Sequence, residues 1–318
     1  MSPLRQLVPA LLLALCLLIA DQPAHAAKRI ALSFDDVPRS TGPFLSPDAR
    51  TRQLIAGLRR ARVGQVAFFV TTGNLDRPDG AGGEARIAAY VRAGHVIANH
   101  SHSHLWATRT PIADYVADLD RAAAWLRGRD GYRPWYRFPF LDEGRDTAER
   151  RDALRRALAE RALSSGYVTV DSYDWYLESL AGQAAAAGRA IDRDALRRLY
   201  VEAIIGAAEF NDGIARETLG RSPAHVLLLH ETDLAALFIA DAVAALRAAG
   251  WQIIPFDVAY RDPIAAIEPD SLFLGGGRVA GIANAAGRER RSLVPQWNEE
   301  SYLAREFASR VLHQTESP

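Results

Sequence analysis

The stretch RIALSFDD, residues 29–36, joins a short apolar run to a pair of aspartates. The run favours a β-strand, and Asp35 and Asp36 follow at the point where that strand would end. Adjacent aspartates after a strand most often belong to a turn or to the start of a helix. A functional interpretation becomes attractive because the same arrangement, a short strand followed by polar groups, recurs along the chain.

Short β-rich runs alternate with longer segments of helical period that are rich in Ala, Leu and Arg. This alternation is typical of βαβ units and a parallel sheet. We predict an α/β fold, a distorted (β/α) barrel of about seven parallel strands. The predicted strands are 29–34, 65–70, 95–98, 136–138, 167–170, 225–229 and 251–255. The predicted helices are 47–62, 84–93, 111–127, 147–163, 193–209 and 234–249.

The first 26 residues read MSPLRQLVPALLLALCLLIADQPAHA. One arginine, an apolar run from Leu7 to Ala20 and the final Ala24-His25-Ala26 predict a cleaved signal peptide of the bacterial type and an exported protein, periplasmic or secreted. The run is about 14 residues long, shorter than the roughly 20 that cross a bilayer, so we expect no stable membrane span after cleavage. The single cysteine, Cys16, lies inside it, so the mature chain would fold without disulfides.

The charge balance argues against nucleic acid as a partner. Lys plus Arg and Asp plus Glu number 38 each, and no dense basic run is present, so nucleic acid is not an expected partner.

We expect a barrel domain over 27–260 with a helical insertion at about 177–222. Residues 261–318 form a C-terminal tail with a terminal helix over 298–312, which either packs on the barrel or hangs loose.

Polar clusters follow five of the predicted strands. In a parallel barrel the carboxyl ends of the strands share one face, where the active site lies. The clusters are Asp35-Asp36, Asn99 to His104, Arg137 to Phe140, Asp171 to Trp175, and His230-Glu231. Each has an ordinary structural explanation when taken alone, but their joint occurrence predicts that five segments meet in one pocket.

These clusters resemble the motifs of the polysaccharide deacetylase (NodB homology) family, carbohydrate esterase family four. SFDD is similar to that family's TFDD motif, HSHSH to H-S/T-x-x-H, and RFPF to R-x-P-Y. DSYDW resembles D-x-x-D-W, and VLLLH resembles the motif that ends in the last catalytic histidine. The resemblance extends from about Ile30 to Pro255. Three positions depart from it, because Val37, Phe140 and Glu231 stand where the family often has Gly, Tyr and Asp.

The resemblance implies a metal site formed by Asp36, His100 and His104. Two imidazoles and one carboxylate leave an open position for water, as in catalytic zinc sites, and such a metal acidifies its water and polarises a carbonyl. We expect one divalent ion, with zinc first and cobalt, nickel or iron as alternatives. A turn of helical character would bring His100 and His104 together and rotate His102 away. His102 would then support the loop, although a role as a spare ligand stays open.

The same resemblance assigns the acid and the base. Asp35 would be the general base, and Arg137 would keep it ionised and oriented by pairing with it. His230 would protonate the departing amine, because an amide nitrogen leaves poorly without a proton. Either Asp171 or Asp174 is available to orient His230, and we favour Asp171, the first aspartate of the motif.

Three further residues are expected around the scissile bond. By the resemblance, the backbone N–H of Phe140 stabilises the oxyanion that develops as the carbonyl becomes tetrahedral. Trp175 and Leu228 would line a small apolar pocket for the acetyl methyl group. Ordinary core packing explains these two apolar residues equally well.

The predicted function is a metal-dependent hydrolase that removes N-acetyl groups from an exported or cell-wall polysaccharide, such as peptidoglycan or an N-acetylglucosamine polymer. The metal-bound water would attack the amide, with Asp35 as base and His230 as acid. Alternatives are an O-acetyl esterase, a small-molecule C–N amidohydrolase, or a non-catalytic carbohydrate-binding or assembly protein. Every ligand, acid and base position is filled, which a binding protein does not require.

Overall fold

The computed structural model describes residues 27–273 and 275–314. The predicted signal peptide, with Cys16, lies outside the described residues. Seven strands pair in parallel throughout. They are β1 (Lys28–Val37), β2 (Ala67–Val70), β3 (Val96–Asn99), β4 (Tyr132–Tyr136), β5 (Ser164–Ser165), β6 (Ala224–His230) and β7 (Trp251–Ile253).

The strands close into a barrel. Their order is β5-β4-β3-β2-β1-β6, and β7 pairs with the start of β1. Residues 164–170 complete the closure, because this segment begins beside β4 and ends beside β6. The Gly166 N–H donates to the Tyr136 carbonyl at 2.6 Å, and the Leu228 N–H donates to the Val170 carbonyl at 2.9 Å. The predicted α/β barrel of parallel strands is confirmed.

Helices connect the strands and cover the barrel. They are α1 (Pro47–Arg60), α2 (Gly83–Arg92), α3 (Ile112–Leu126), α4 (Ala148–Glu160), α5 (Asp174–Ala186), α6 (Arg193–Leu219), α7 (Asp233–Ala248), α8 (Phe256–Ala259), α9 (Arg278–Ala285) and α10 (Glu300–Glu306). Side-chain caps begin several of them: Ser46, Thr147, Asp192 and Thr232 each accept a hydrogen bond from the backbone N–H three residues later.

Alternate residues of β1 divide between two apolar layers. Ile30, Leu32 and Phe34 pack in a large cluster with the surrounding helices, whereas Ala31 packs in a second cluster with side chains of the barrel interior. Because side chains alternate across a strand, Asp35 continues the interior series that begins with Ala31. The strand therefore delivers Asp35 to the mouth of the barrel.

Three predicted elements differ from the observed ones. The strand predicted at 136–138 is β4, which ends at Tyr136, so Arg137 belongs to the loop above it. Of the strand predicted at 167–170, only a single bridge at Val170 is present, and β5 lies just before it, since this segment crosses between two neighbours.

The helix predicted at 193–209 extends to Leu219 as α6. Asn211 and Asp212 resemble a helix break in the sequence, but both are buried and paired. The Asn211 amide donates to the Ala207 carbonyl at 2.9 Å, and an Asp212 oxygen lies 3.2 Å from His225 Nε2. Asp212 thus pairs with a residue of β6, whereas Asn211 bonds within its own helix, and neither side chain interrupts α6.

The C-terminal residues pack on the helical layer. Leu303, Phe307 and Val311 are buried in the cluster that contains Ile30 and Leu32. The helix predicted at 298–312 is α10 followed by a π-helical turn over Phe307–Val311. Within the part of the chain that the structure describes, no helix has both the length and the apolar character required to cross a bilayer.

Candidate active site

The predicted site residues meet at the carboxyl ends of the strands. Asp35 and His230 are partners in the β1–β6 register, and Asn99, which precedes the histidine segment, ends β3. A cavity of about 520 Å³ opens on this face. It is lined by Asp35, Asp36, Arg39, His100, His104, Trp106, Phe140, Leu141, Arg145, Asp171, Tyr173, Trp175, Leu228, His230, Gly275 and Glu300. Of the residues predicted for the site, only Arg137 is not in this lining.

Asp36, His100 and His104 form a cluster with the spacing of metal ligands. One ligand atom from each lies within 4.8 Å of the other two. Asp36 Oδ1 is 3.5 Å from His100 Nε2 and 3.1 Å from His104 Nε2. These three side chains thus point at one another from two different strand ends.

The cluster has the properties that a divalent cation requires. Asp36 Oδ1 is buried and has no hydrogen-bond partner among the described residues. His100 Nδ1 lies 2.8 Å from the Arg137 carbonyl oxygen, which leaves the Nε2 lone pair free to face Asp36 when Nδ1 carries the proton. Burial raises the pKa of Asp36, but His100, His104 and Arg39 hold it well below its usual value, so the ligand is ionised.

The histidine segment is an irregular turn, which corrects the expected turn of helical character. Ser101 and His104 have φ values of 70° and 55°, in the left-handed region. Asn99 Oδ1 accepts from the Ser101 N–H at 2.8 Å, and Ser101 Oγ accepts from the His104 N–H at 2.9 Å. Side-chain hydrogen bonds therefore replace helical ones in bringing His100 and His104 together.

His102 faces away from the cluster. Its Nδ1 lies 2.9 Å from Thr72 Oγ1, and its Nε2 is 3.7 Å from an Asp76 oxygen. Its backbone N–H donates to Asp118 at 2.9 Å. The side chain thus ties the turn to the neighbouring β2 loop, as expected for a residue that supports the loop.

Arg137 is buried beneath Asp35. Its Nη1 donates to Asp35 Oδ1 at 2.6 Å and to Ser33 Oγ at 2.8 Å, and its Nε donates to the Gly166 carbonyl at 2.7 Å. The guanidinium also lies over the Phe69 ring, 3.6 Å from its centroid. Acceptors from several elements thus hold the guanidinium in place. Arg137 therefore fixes one oxygen of Asp35, and the other oxygen faces the cavity.

His230 is oriented by Asp174, which corrects the preference for Asp171. His230 Nδ1 lies 2.7 Å from Asp174 Oδ1, and the His230 N–H donates to Asp174 Oδ2 at 2.8 Å. Asp174 is the first residue of α5. Its side chain is buried, and its carboxylate points back toward β6. Burial lowers the pKa of His230, but the Asp174 carboxylate raises it above its ordinary value, which favours the imidazolium.

Asp171 lies on the cavity wall near His230 but makes no side-chain hydrogen bond with it. Burial, together with the charges of Asp174 and Asp35, raises the pKa of Asp171 to about 7. A carboxyl group with this pKa is only partly ionised at neutral pH, whereas a permanent counter-ion for imidazolium must stay charged. Asp171 is therefore less suited than Asp174 to hold the histidine.

Apolar and aromatic groups complete the wall. Phe140 is 41% exposed, and its ring stacks on Trp106 with centroids 3.7 Å apart. The same ring meets His104 edge-on at 4.5 Å. Trp175 and Leu228 also line the cavity, in keeping with the predicted acyl pocket. Phe140 has a φ of 59°, so its left-handed backbone turns the loop sharply at the cavity rim.

Sequence reasoning missed several residues at this site. Arg39 Nη1 donates to Asp36 Oδ2 at 2.8 Å, and the Arg39 N–H donates to a Glu231 oxygen at 2.7 Å. Its position three residues after Asp36 was an available signal. Arg145 and Glu300 lie outside the motifs, and no spacing in the sequence connects Glu300 with a strand end.

A second cavity of about 520 Å³ adjoins the first. Asp36, Arg39, His104 and Trp175 line both. The site therefore lies within a longer cleft, with Asp36 and His104 where the two cavities meet. A barrel that carries a carboxylate and two imidazoles beside an ionised acid/base pair can hold a divalent cation, take a proton from water and protonate a leaving group.

Comparison with known proteins agrees with this description. The family model for polysaccharide deacetylase matches residues 22–157, which confirms the resemblance to that family over this segment. A search of curated protein sequences gave no match.

Solved structures with TM-scores just above 0.5 share the fold. A wild-type CE4 family pseudoenzyme from Bacillus anthracis is 12% identical, with a TM-score of 0.51, over 74% of this chain and 66% of its own. A mutant of that pseudoenzyme with restored enzymatic activity is 14% identical, with a TM-score of 0.51, over 74% and 68%. A family 4 carbohydrate esterase from Streptomyces lividans is 22% identical, with a TM-score of 0.46, over 71% and 92%.

Proposed function

We propose that this protein is a metal-dependent hydrolase that removes N-acetyl groups from an exported or cell-wall polysaccharide, such as peptidoglycan or an N-acetylglucosamine polymer. The observation that carries the proposal is the joint presence of three features in one cavity. They are the Asp36–His100–His104 cluster, the Asp35–Arg137 ion pair and the His230–Asp174 ion pair. Amide hydrolysis needs a site for the acyl oxygen, a base for water and an acid for the amine.

Asp35 is assigned as the base. Arg137 binds Asp35 Oδ1, so the second oxygen is the one available to take a proton from the attacking water. Asp35 Oδ2 is 3.7 Å from His100 Nε2, which places the base beside the candidate metal ligands. The buried salt bridge restricts the rotation of this carboxylate and holds it in the orientation that the reaction requires.

His230 is assigned as the acid. Asp174 accepts from Nδ1, so Nε2 carries the proton that the departing nitrogen takes up. Burial lowers the pKa of His230, but the Asp174 carboxylate raises it above its ordinary value, which favours retention of this proton. His230 and Asp35 occupy adjacent strands, so acid and base face the scissile bond from neighbouring positions.

A divalent ion held by Asp36, His100 and His104 would supply Lewis acidity toward the water and the acyl oxygen. Zinc is our first expectation, because the donor set is two imidazoles and one carboxylate. The Phe140 backbone N–H is assigned as a donor to the oxyanion. Trp175 and Leu228 are assigned to the acyl methyl, because both are cavity-lining apolar residues near His230.

The size of the cleft supports an oligomeric substrate. Two adjoining cavities of about 520 Å³ each share Asp36 and His104, so a sugar chain has room on both sides of the reacting group. The predicted signal peptide supports export, because the candidate polymers lie outside the cytoplasm. An O-acetyl esterase or a small-molecule amidohydrolase would use the same groups on a different acyl substrate.

A non-catalytic carbohydrate-binding protein is the second candidate. The fold alone permits it, since a CE4 family pseudoenzyme has that fold too. Against it, this chain carries every residue that the proposed reaction uses: base, acid and three candidate ligands.

Metal analysis of the purified protein, paired with an acetate-release screen, tests the proposal. The screen covers peptidoglycan, chitooligosaccharides and acetylated small molecules. We expect about one divalent ion per chain and acetate release from a polymer or oligomer. Bound metal without acetate release from any substrate would favour the binding protein, and release from small molecules alone would contradict a polysaccharide substrate.

A further inference from the structure

The C-terminal residues form part of the active-site wall. Gly275 and Glu300 line the cavity that contains the candidate base and acid. Both lie far beyond residue 157, where the match to the polysaccharide deacetylase family ends. This side of the cleft is therefore built by a part of the chain that none of the sequence motifs includes.

Packing fixes the segment that carries Glu300. The side chains of Leu303, Phe307 and Val311 are buried on the helical layer, and the Asp192 N–H donates to the Val311 carbonyl at 3.0 Å. Burial of these three large apolar side chains stabilises the docked segment. Glu300 at the start of α10 is thereby held by its own helix.

Two contacts fix the residues just before Glu300. The Asn298 amide donates to the Asp171 carbonyl at 3.3 Å, which ties the segment to the loop beside His230. Trp297 fits against α6 at Gly206, where an added Cβ would come within 1.8 Å of the indole Nε1. Glu300 follows two residues after Asn298, so its position relative to the cavity is set from both sides.

The Glu300 carboxylate is available to a ligand. The residue is exposed, and no side chain in the described residues forms an ion pair or hydrogen bond with it. Arg145 lines the same cavity, and its nearest carboxylate partner, Asp142, is 3.8 Å away. Tyr173 lies on the wall within electrostatic range of both charges, because Glu300 raises its pKa and Arg145 lowers it, after the larger effect of burial.

We propose that Glu300, together with Arg145 and Tyr173, binds the sugar unit next to the acylated unit, and that this unit is a neutral pyranose. Glu300 accepts hydrogen bonds from its hydroxyls, and Arg145 donates to its oxygens. Glu300 and Arg145 carry opposite charges, so together they give no net attraction to a charged unit of either sign, whereas both can form hydrogen bonds with neutral hydroxyl groups. The choice of ligand rests on the proposed function.

Binding of tetra-N-acetylchitotetraose to the full-length protein by calorimetry tests this inference. We expect Glu300→Ala to raise the Kd about tenfold, because one hydrogen-bonding carboxylate is lost. Glu299→Ala is the matched control: it removes the same charge one position earlier, from an exposed side chain that is not in the cavity wall. We expect the control to bind like the wild type.

Kinetics separate this role from a structural one. For acetate release from the same tetrasaccharide, Glu300→Ala should raise KM about tenfold and leave kcat within about twofold, since no reacting atom is touched. Hydrolysis of 4-nitrophenyl acetate, which cannot reach Glu300 and the reacting centre together, should not change.

Equal affinity of wild type and Glu300→Ala for the tetrasaccharide overturns the inference, as does an equal loss in Glu299→Ala or failure of the wild type to bind. If Glu300→Ala bound the tetrasaccharide more weakly than the wild type, but the wild type released no acetate, the proposed function would be overturned and this sugar-binding role would stand.

Discussion

At the residue scale, the two oxygens of Asp36 have different partners. Arg39 Nη1 donates to Oδ2 at 2.8 Å, whereas Oδ1 faces His100 and His104 without a hydrogen bond. A buried carboxylate oxygen without a donor is costly unless a cation occupies the site. The arrangement therefore favours a metal ion between one carboxylate oxygen and two imidazoles.

Replacement of Asp36 or His104 by alanine should abolish metal binding, because two remaining ligands hold a divalent ion poorly. Metal content per chain after dialysis, measured by elemental analysis, checks this. His102→Ala is the control, because His102 contacts Thr72 and not the cluster. Loss of metal from His102→Ala, or its retention by His104→Ala, would refute the ligand assignment.

Asp174→Asn should move the alkaline limb of the kcat/KM profile to lower pH. The reason is that Asp174 raises the pKa of His230, and removal of this charge makes the imidazolium easier to deprotonate. Asp171→Asn provides the comparison and should shift the limb less, because Asp171 forms no hydrogen bond with His230. A larger shift from Asp171→Asn would restore the original preference for that residue.

The choice between these two aspartates shows where sequence reasoning reached its limit. Motif spacing predicted that Asp35, Asp36, His100, His104 and His230 share a pocket, because strand order and strand ends determine that. Which aspartate turns toward His230 depends on how the backbone enters α5 at Asp174, and spacing does not encode this turn. Arg39 was missed for the same reason, since its loop is shaped by Glu231 and Arg50.

At the element scale, β2 and β3 meet at a buried histidine. His95 precedes β3, is 5% exposed, and lies 5.7 Å from the Phe68 ring. Burial lowers its pKa from 6.5 to about 4. The folded protein therefore keeps this imidazole neutral at pH values where the unfolded chain binds a proton.

This difference makes stability depend on pH. Between pH 6.5 and pH 4 the unfolded state binds more protons at His95, so the free energy of unfolding should fall as the pH drops, by about 3 kcal/mol in total. Urea unfolding of the wild type and His95→Asn at pH 7, 6, 5 and 4 measures this contribution. The variant should show a smaller decrease with pH.

His313→Asn is the control for that series. His313 is 70% exposed in its side chain, so its removal should leave the pH dependence close to that of the wild type. If the wild type and His95→Asn lost stability in parallel, His95 would not be the buried neutral group that the structure indicates.

Strand boundaries were predictable where a continuous apolar run forms the strand. β1 and β6 lie within two or three residues of their predicted bounds, because their apolar runs pack on both faces. Residues 167–170 were predicted as one strand, but only Val170 pairs with β6, while residues 164 and 165 before them pair with β4. The length of α6 was underestimated because the partner of Asp212 is His225 on β6, and spacing within the helix does not reveal this pairing.

At the scale of the whole molecule, the C-terminal segment joins the helical layer to the active-site cleft. Trp297 packs at Gly206 on α6, and Asn298 bonds to the Asp171 carbonyl. The sequence left open whether this tail packs or hangs loose, because its composition lacks a clear period. In the structure it packs, through a few large side chains that fit small residues elsewhere in the chain.

Gly206→Ala should loosen this docking. A Cβ at position 206 would collide with the indole of Trp297, so we expect a loss of about 1–3 kcal/mol in the free energy of unfolding and faster proteolysis of the C-terminal segment. Gly213→Ala is the matched control on the same helix, where an added Cβ meets no atom within 4 Å. It should stabilise the protein by about 0.5–1 kcal/mol, the usual gain for alanine over glycine in a helix.

Similar stability of the two alanine variants would show that Trp297 does not dock on α6 in this way. Reduced stability of Gly213→Ala alone would contradict the assignment of an open surface at that glycine.

Asp35→Asn tests the central claim most directly, through two measurements on one purified variant: bound metal and acetate release from the best acetylated oligosaccharide of the screen. Asparagine keeps the size of the side chain but cannot take a proton from water. Metal content should therefore match the wild type, while kcat falls by about 10²–10⁴-fold. Acetate release at the wild-type rate would contradict Asp35 as the base and, with it, the proposed use of this site for deacetylation.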